Sequence, residues 1–261
     1  MTAVILAAGR GGRLRGIAGR RPKCLVRIGD CSLLERQIRS LRAAGVDRIV
    51  LVTGYGDEEV RRVAGAHVNI VHNGRYASTN SLYSLWLARE CLLGGGLILN
   101  GDVLFHDQLL LDLLTARYED AVLVSARRGA FTDEEMKVCL RGGRVVDIAK
   151  TLADADADAE NIGIAKFGAE GAAALVDEVN ALVAADGAGC WLPAAFAAFS
   201  RRRPLYAVES RGFPWIEIDF PEDYWRACSD VLPAIDASER PPQAAAEPVA
   251  AGASGRTRHH V

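Results

Sequence analysis

Short apolar segments alternate with helical segments through the first half of the chain, and this pattern constrains the fold most. Residues 4–8, 49–53, 68–71, 97–100 and 121–126 are mainly apolar. Segments of this kind are typical of strands buried on both faces, as in parallel sheets covered by helices. The alternation therefore predicts an α/β fold, a Rossmann-like three-layer sandwich with a mixed, mostly parallel central sheet.

Helix signals lie between the predicted strands. Ser32 and Glu35 have the spacing of a capping box and precede an amphipathic stretch. The periodicity of residues 81–93 predicts another helix, with Ser78 or Thr79 as its N-cap. Further helices are predicted at residues 58–64, 109–116, 170–185 and 193–199.

The pattern changes after residue 126. Residues 137–140 and 144–148 flank a Gly-Gly pair, which predicts a hairpin and hence a small antiparallel region. Further strands are predicted at residues 162–167, 205–208 and 215–218.

We expect a single domain over residues 1–233 and a disordered tail at residues 234–261. Ala, Pro, Gly, Ser and Arg dominate the end of the chain, where no apolar periodicity remains. Such a composition buries too little apolar surface to offset the entropy lost on ordering.

Charge and cysteine content exclude several classes of protein. A formal net charge of −2 offers no basic surface for a nucleic-acid backbone. Arg10 and Arg13 interrupt the apolar N-terminal run too early for a signal peptide or a membrane span. Six cysteines without a C-x-x-C pair favour buried thiols in a reducing environment. The chain is therefore expected in the cytoplasm, without a nucleic-acid or membrane partner.

A glycine-rich loop follows the first predicted strand, and Lys23 stands a few residues beyond it. Glycines can adopt positive φ, which lets successive backbone N–H groups face one anion. Arg13 and Lys23 add cations for a triphosphate, although an ordinary tight connection is the alternative reading of the loop. The spacing fits neither a Walker loop nor G-x-G-x-x-G. The predicted nucleotide contacts here are Leu6, Ala7, Ala8, Gly9, Arg10 and Gly11.

Three carboxylates follow or lie within predicted strands. Asp102 comes just after residues 97–100, at the strand end where open α/β sheets bind ligands. Glu217 and Asp219 alternate along a strand and so share a face. Burying acids together is costly without a cation. These residues predict a Mg²⁺ site, while a helix-capping Asp102 and a solvated acidic face are the alternatives.

Together these elements resemble a nucleotidyltransferase signature, L-A-A-G-x-G-x-R-L…P-K, which matches residues 6–14 and 22–23. Sugar-phosphate nucleotidylyltransferases, molybdenum-cofactor guanylyltransferases and small phospho-alcohol cytidylyltransferases share this signature. The resemblance implies that Asp102 and Asp219 hold the catalytic metal. Lys23 would then stabilise the α-phosphate and Arg13 the β- and γ-phosphates, as the two predicted catalytic cations.

Residues 73–86 narrow the resemblance, because they are similar to the N-x-x-Y-x-x-x-N-[NS]-x-Y-[ST]-[LM] segment of phosphocholine and 2-aminoethylphosphonate cytidylyltransferases. This branch implies CTP as donor, with Asn73, Asn80 and Ser81 at the nucleotide. Simple N-capping is the alternative for Asn80 and Ser81, and core packing for Tyr83. The candidate acceptor-binding residues are Tyr83, Lys150, Glu160, Trp191, Trp215 and Glu217.

The sequence thus predicts an enzyme that transfers CMP from CTP, or another NTP, to a small phosphonate or phospho-alcohol. Acceptors of the 2-aminoethylphosphonate, hydroxyethylphosphonate and phosphocholine types fit the resemblance. A sugar-1-phosphate uridylyl- or guanylyltransferase is one alternative, and a non-catalytic nucleotide-binding regulator is another. A homodimer is one option for its assembly.

Overall fold

A nine-stranded mixed sheet forms the centre of the fold. The computed structural model describes residues 1–127 and 129–239. The strands in this part of the chain are β1 (Thr2–Ala7), β2 (Arg27–Ile28), β3 (Cys31–Ser32), β4 (Arg48–Thr53), β5 (Asn69–His72), β6 (Gly96–Asn100), β7 (Val103–Phe105), β8 (Ala121–Ala126), β9 (Lys137–Arg141), β10 (Arg144–Ala149), β11 (Ala159–Phe167), β12 (Tyr206–Glu209) and β13 (Trp215–Glu217). The α-helices are α1 (Arg15–Ala18), α2 (Leu33–Ala43), α3 (Asp57–Ala64), α4 (Ser81–Ala88), α5 (Asp107–Thr115), α6 (Ala169–Ala184), α7 (Pro193–Ser200), α8 (Pro221–Arg226) and α9 (Leu232–Glu239).

The strand order of the large sheet is β5-β4-β1-β6-β11-β8-β12-β10-β9. Its first four strands are parallel, and β11 is antiparallel to both β6 and β8. Parallel pairing recurs between β8 and β12, and the predicted hairpin of β9 and β10 closes the far edge. This topology confirms the α/β class and the mixed sheet with its antiparallel hairpin region.

Both faces of the parallel strands β4, β1 and β6 are buried, which explains their continuous apolar sequences. Along β1, Ala3 and Ile5 belong to one apolar cluster and Val4 to the other. The cluster of Ile5 includes apolar residues of α2, α3 and α5, whereas that of Val4 includes residues of α4, α6 and α7. Two helical layers therefore enclose the sheet, as the alternation predicts.

The ends of α2 and α4 test the capping predictions. The capping box is confirmed, because Ser32 Oγ accepts from the Glu35 N–H at 3.2 Å while Glu35 Oε2 accepts from the Ser32 N–H at 2.8 Å. The caps predicted for α4 are wrong, since Asn80 Oδ1 accepts from the Ser81 N–H at 2.8 Å. Ser78 and Thr79 instead donate their hydroxyls to a carbonyl of the preceding turn. The helix also ends at Ala88, where a 3₁₀ segment replaces the predicted continuation.

A third apolar cluster lies beneath the N-terminal loop, and it includes Leu14, Leu104, Ile216 and Ile235. Ile235 belongs to α9 and is 1% exposed. Burial of this side chain holds α9 in place, so the expected disorder from residue 234 is wrong as far as Glu239. The remainder of the predicted tail, residues 240–261, lies outside the described residues. No helix among those described is long and apolar enough to cross a bilayer.

Candidate active site

The N-terminal loop packs closely against its neighbours at the carboxyl end of β1. Gly11 has φ +63°, and a Cβ on it would lie 2.8 Å from Cβ of Lys23. A Cβ on Gly101 would lie 2.9 Å from the Leu6 carbonyl oxygen, and one on Gly54 would lie 2.7 Å from the Ala8 carbonyl oxygen. Side chains at these positions would push the loop away, so the glycines set how closely Lys23 approaches β1.

A cavity of about 340 Å³ opens beside this loop. Seven predicted nucleotide contacts line it: Leu6, Ala8, Gly9, Gly11, Asn73, Asn80 and Ser81. Ala7 and Arg10 lie outside its wall. The Ala7 side chain is buried against Gly101, and the Arg10 guanidinium lies 5.5 Å from the centroid of the Tyr55 ring.

Polar groups of the three predicted nucleotide-binding residues beyond the loop bind the protein itself. Asn73 Nδ2 donates to the hydroxyls of Thr79 and Ser84, each at 3.1 Å, and its Oδ1 accepts a backbone N–H. Asn80 caps α4, and Ser81 Oγ accepts from the Leu192 N–H at 2.8 Å. Asn73 thus organises the loop ahead of α4, and the capping alternative describes Asn80 correctly.

The three acids converge at one end of this cavity. One carboxylate oxygen from each of Asp102, Glu217 and Asp219 lies within 4.8 Å of the others. Pairing of β13 with β7 sets Glu217 opposite Val103, and the Ile218 N–H donates to the Asp102 carbonyl oxygen at 3.0 Å. This pairing joins two acidic segments that are more than a hundred residues apart in sequence.

Lys23 neutralises part of the acidic cluster. Its ammonium donates to Asp102 Oδ2 at 2.7 Å and also to Asp219 Oδ1. Burial alone would lower the pKa of Lys23, but Asp102, Asp219 and then Glu217 outweigh that effect and raise it. Burial, followed by repulsion from the two aspartates, holds the pKa of Glu217 well above its usual value. The cluster therefore combines three acids with one buried cation.

The donor set of this cluster fits a divalent cation. All three side chains offer carboxylate oxygens, which hard cations such as Mg²⁺ prefer. Asp102 Oδ1 is buried and has no hydrogen-bond partner among the described residues. An unpaired buried carboxylate oxygen is costly, and coordination to a cation would satisfy it. Glu217, expected at the acceptor, belongs to this cluster as well.

Two further cations project into the cavity and share one carboxylate. Glu134 Oε2 accepts from Arg13 Nη1 at 3.4 Å and from Lys150 Nζ at 3.1 Å. Sequence reasoning missed Glu134, because an exposed Asp-Glu-Glu run carries no pattern that indicates a site. Asn161 was also given no role, although it lines the cavity and its buried Oδ1 has no partner among the described residues.

A second cavity of about 590 Å³ adjoins the first and shares Glu134, Glu217 and Asp219 with it. Of the candidate acceptor residues, Glu160 and Trp215 line the second cavity, Lys150 and Trp191 the first. Burial, reinforced by nearby Glu135, raises the pKa of Glu160 to about 7.

Tyr83 lines neither cavity. Its ring stacks on Trp86 with the centroids 5.3 Å apart, and the Arg75 guanidinium lies 5.0 Å from the Tyr83 centroid. The packing alternative therefore describes Tyr83 better than acceptor binding does.

A glycine-rich loop and converging acids at the carboxyl edge of a Rossmann-like sheet define a nucleotide-binding α/β protein. The family model described as "MobA-like NTP transferase domain" matches residues 3–217, and the chain belongs to this family. The predicted resemblance to nucleotidyltransferases is thereby confirmed.

Three curated relatives match parts of the chain. A choline-phosphate cytidylyltransferase of Streptococcus pneumoniae is 36% identical over 119 residues, which are 45% of this chain and 52% of the relative. A CMP-5'-(3-aminopropyl)phosphonate synthase of Streptomyces rubellomurinus is 38% identical over 128 residues, 47% of this chain and 20% of the relative. A bifunctional IPC transferase and DIPP synthase of Rubrobacter xylanophilus is 31% identical over 229 residues, 85% of this chain and 50% of the relative. The chain thus spans about half or less of the length of these relatives.

Two solved structures share the fold. A CTP:phosphocholine cytidylyltransferase of Streptococcus pneumoniae superposes with a TM-score of 0.71 at 26% identity, covering 86% of this chain and 96% of that protein. An inositol-1-phosphate CTP transferase of T. maritima gives a TM-score of 0.74 at 23% identity, over 90% of this chain and 94% of that protein. The second similarity concerns the fold alone.

Proposed function

We propose that this protein transfers CMP from CTP to a small phosphonate or phospho-alcohol and releases pyrophosphate, with Mg²⁺ as its cofactor. The observation that carries the proposal is the meeting of Lys23, Asp102, Glu217 and Asp219 beside the glycine loop in one cavity. The choline-phosphate cytidylyltransferase among the relatives and the CTP:phosphocholine cytidylyltransferase among the solved structures support CTP as the donor. We place the reaction in the cytoplasm, in keeping with six free cysteines.

The proposed reaction needs little covalent help from the protein. An anionic oxygen of the acceptor forms a bond to the α-phosphorus, and the bond to the β-phosphate oxygen breaks with its electron pair leaving on pyrophosphate. Because the acceptor is already ionised, positioning and charge neutralisation dominate. Asp102, Glu217 and Asp219 would hold the divalent ion, which supplies positive charge to the phosphates when bound.

The cations of the chain would supply the remaining positive charge. Lys23 lies at the acidic cluster and is assigned to the α-phosphate. Arg13 and Lys150 line the same cavity and are assigned to the outer phosphates of the donor and to the phosphoryl or phosphonyl group of the acceptor. Such preorganised charges stabilise the transition state because they need no reorientation during the reaction.

The second cavity favours an acceptor with a positively charged end. Among its lining residues are Glu134, Glu135, Glu160, Trp215 and Asp223. Carboxylates with an aromatic face suit an ammonium group. We therefore propose that the acceptor is a phosphonate or phospho-alcohol with an ammonium group. Phosphocholine and 2-aminoethylphosphonate are the leading candidates, and hydroxyethylphosphonate, which ends in an uncharged hydroxyl, is the comparison.

Pyrophosphate release from each of the four NTPs with a panel of acceptors tests this proposal. The panel contains 2-aminoethylphosphonate, phosphocholine, hydroxyethylphosphonate, inositol 1-phosphate and a hexose 1-phosphate. Release with CTP and an amine-bearing acceptor is expected. Turnover of UTP or GTP with the hexose 1-phosphate would instead identify a sugar nucleotidyltransferase. CTP binding without pyrophosphate release from any acceptor would indicate a non-catalytic nucleotide-binding regulator.

A further inference from the structure

A continuous row of five charged and aromatic side chains runs along the first cavity, which four of them line. The Arg13 guanidinium lies 4.6 Å from the centroid of the Phe220 ring, and the Lys150 ammonium lies 5.2 Å from that of Trp191. Glu134 joins the two halves, because its Oε2 accepts from both cations. These five residues come from separate segments of the chain, so the row exists only in the folded protein.

Glu134 occupies the position of an anion in this row. Both cations line the cavity, and the shared carboxylate holds them at 3.4 and 3.1 Å. The Lys150 hydrogen bond and charge, with a smaller part from Arg13, lower the pKa of Glu134 and keep it ionised. A phosphate or phosphonate oxygen presents the same charge and similar acceptor geometry to the two cations.

We propose that Glu134 is an internal competitor for the substrates, a carboxylate that holds Arg13 and Lys150 until a phosphate group displaces it. The inference depends on the proposed function only in assigning these two cations to phosphate groups. Glu134 would therefore weaken phosphate binding in the resting protein, and the first phosphate to arrive would release both cations. It is a residue that sets affinity and does not touch the reacting atoms.

The size of the effect follows from the exposure of the pairs. The side chains of Arg13, Glu134 and Lys150 are 56%, 45% and 25% exposed. Exposed ion pairs are weak, so removing the carboxylate should strengthen phosphate binding by about threefold to tenfold. Glu134→Gln keeps the shape of the side chain while removing its charge.

The matched control is Asp133→Asn. Asp133 is the exposed neighbour of Glu134 and makes no ion pair with a described residue. Both substitutions remove one negative charge from the same loop, so their difference reports the contacts of Glu134 rather than net charge. Because both positions are exposed, both variants should melt within about 2 °C of the unmodified chain.

The experiment measures the dissociation constant of inorganic tripolyphosphate with Mg²⁺ by titration calorimetry, using the full chain. Glu134→Gln is expected to bind about threefold to tenfold more tightly than the unmodified chain, and Asp133→Asn to stay within about twofold. Equal tightening in both variants, weaker binding by Glu134→Gln, or no binding by any of the three proteins would overturn the inference.

Comparing Arg13→Gln with the double variant Arg13→Gln/Glu134→Gln tests whether Glu134 acts through its contact with Arg13. The gain from removing Glu134 should shrink in the Arg13→Gln background, because one of the two released cations is absent. An undiminished gain would contradict the proposed contact. Tripolyphosphate carries no base and needs no acceptor, so its binding is measured independently of CMP transfer. The proposed transfer can therefore fail while this inference holds, and the inference can fail while the transfer is observed.

Discussion

Lys23 holds together a cluster that would otherwise contain three close carboxylates, so replacing it should change both stability and cation binding. Lys23→Met preserves the length of the side chain and removes the ammonium that binds Asp102 and Asp219. Without that charge the acids repel one another, and a divalent cation becomes the main way to neutralise them. We therefore expect the variant to be less stable alone and to gain more stability from Mg²⁺ than the unmodified chain.

The stability that Lys23→Met should lose follows from the burial of the ion pairs. Removing one partner from a fully buried ion pair costs about 3–5 kcal/mol. Here the side chains of Lys23, Asp102 and Asp219 are 13%, 23% and 31% exposed, so water screens part of the loss. Glu217, with its raised pKa, can also take up a proton and relieve the repulsion. A loss of about 2 kcal/mol remains, which corresponds to about 4–8 °C in melting temperature for a chain of this size.

Thermal melts with and without Mg²⁺ provide the assay, and Lys166→Met is the matched control. Lys166 is also a buried lysine, but it donates to the carbonyl oxygens of Leu114 and Ala116, away from the three acids. Its loss should lower the melting temperature without altering the response to Mg²⁺. Pyrophosphate release by Lys23→Met should fall by at least ~100-fold, as for other lost electrostatic contacts.

The reasoning is refuted if Lys23→Met and the unmodified chain gain the same stability from Mg²⁺. Equal gains would mean that the ammonium and the divalent ion do not share these carboxylates. Near-normal pyrophosphate release by the variant would separately remove Lys23 from the proposed role at the α-phosphate.

The remaining predictions concern the acids and the C-terminal helix. Asp102→Asn and Asp219→Asn should each raise the Mg²⁺ concentration for half-maximal pyrophosphate release by at least ~10-fold, whereas unchanged Mg²⁺ dependence would contradict the metal assignment. Burial raises the pKa of Glu160 to about 7 in the folded chain, above its ordinary value of 4.5, so its ionisation opposes folding as pH rises between these two values. Glu160→Gln should thus be more stable than the unmodified chain at pH 8, by up to about 3 kcal/mol, and equal to it near pH 4 in urea melts; equal stability at both pH values would refute the burial argument. Ile235→Ala should lower the free energy of unfolding by about 2–4 kcal/mol in urea, and the exposed neighbour Asp236→Ala by less than about 0.5; a small effect of the first would mean that α9 does not pack on the third cluster.

The fold is predicted well wherever residues a few positions apart in sequence carry the signal. The continuous apolar strand around Ile5 and the capping box of Ser32 and Glu35 are recognisable from such short segments, and both are confirmed. Sequence places the end of the domain too early because α9 has only eight residues and precedes a long stretch without apolar periodicity. Ile235, with Leu232 beside it, packs on the third apolar cluster, and composition does not reveal such contacts with distant segments.

The candidate site depends on contacts of a different kind. Sequence reasoning could choose Asp102 because it follows a strand and Asp219 because it alternates with Glu217 along one, yet only the pairing of β13 with β7 brings their oxygens together. Sequence does not reveal that the Asn73 amide forms its hydrogen bonds with the protein itself, because a side chain's capacity to donate and accept does not identify its partners. Glu134 shows the same limit most clearly, because its charge is ordinary in sequence. Its position between Arg13 and Lys150 places that charge where it would compete with a phosphate group for the same two cations.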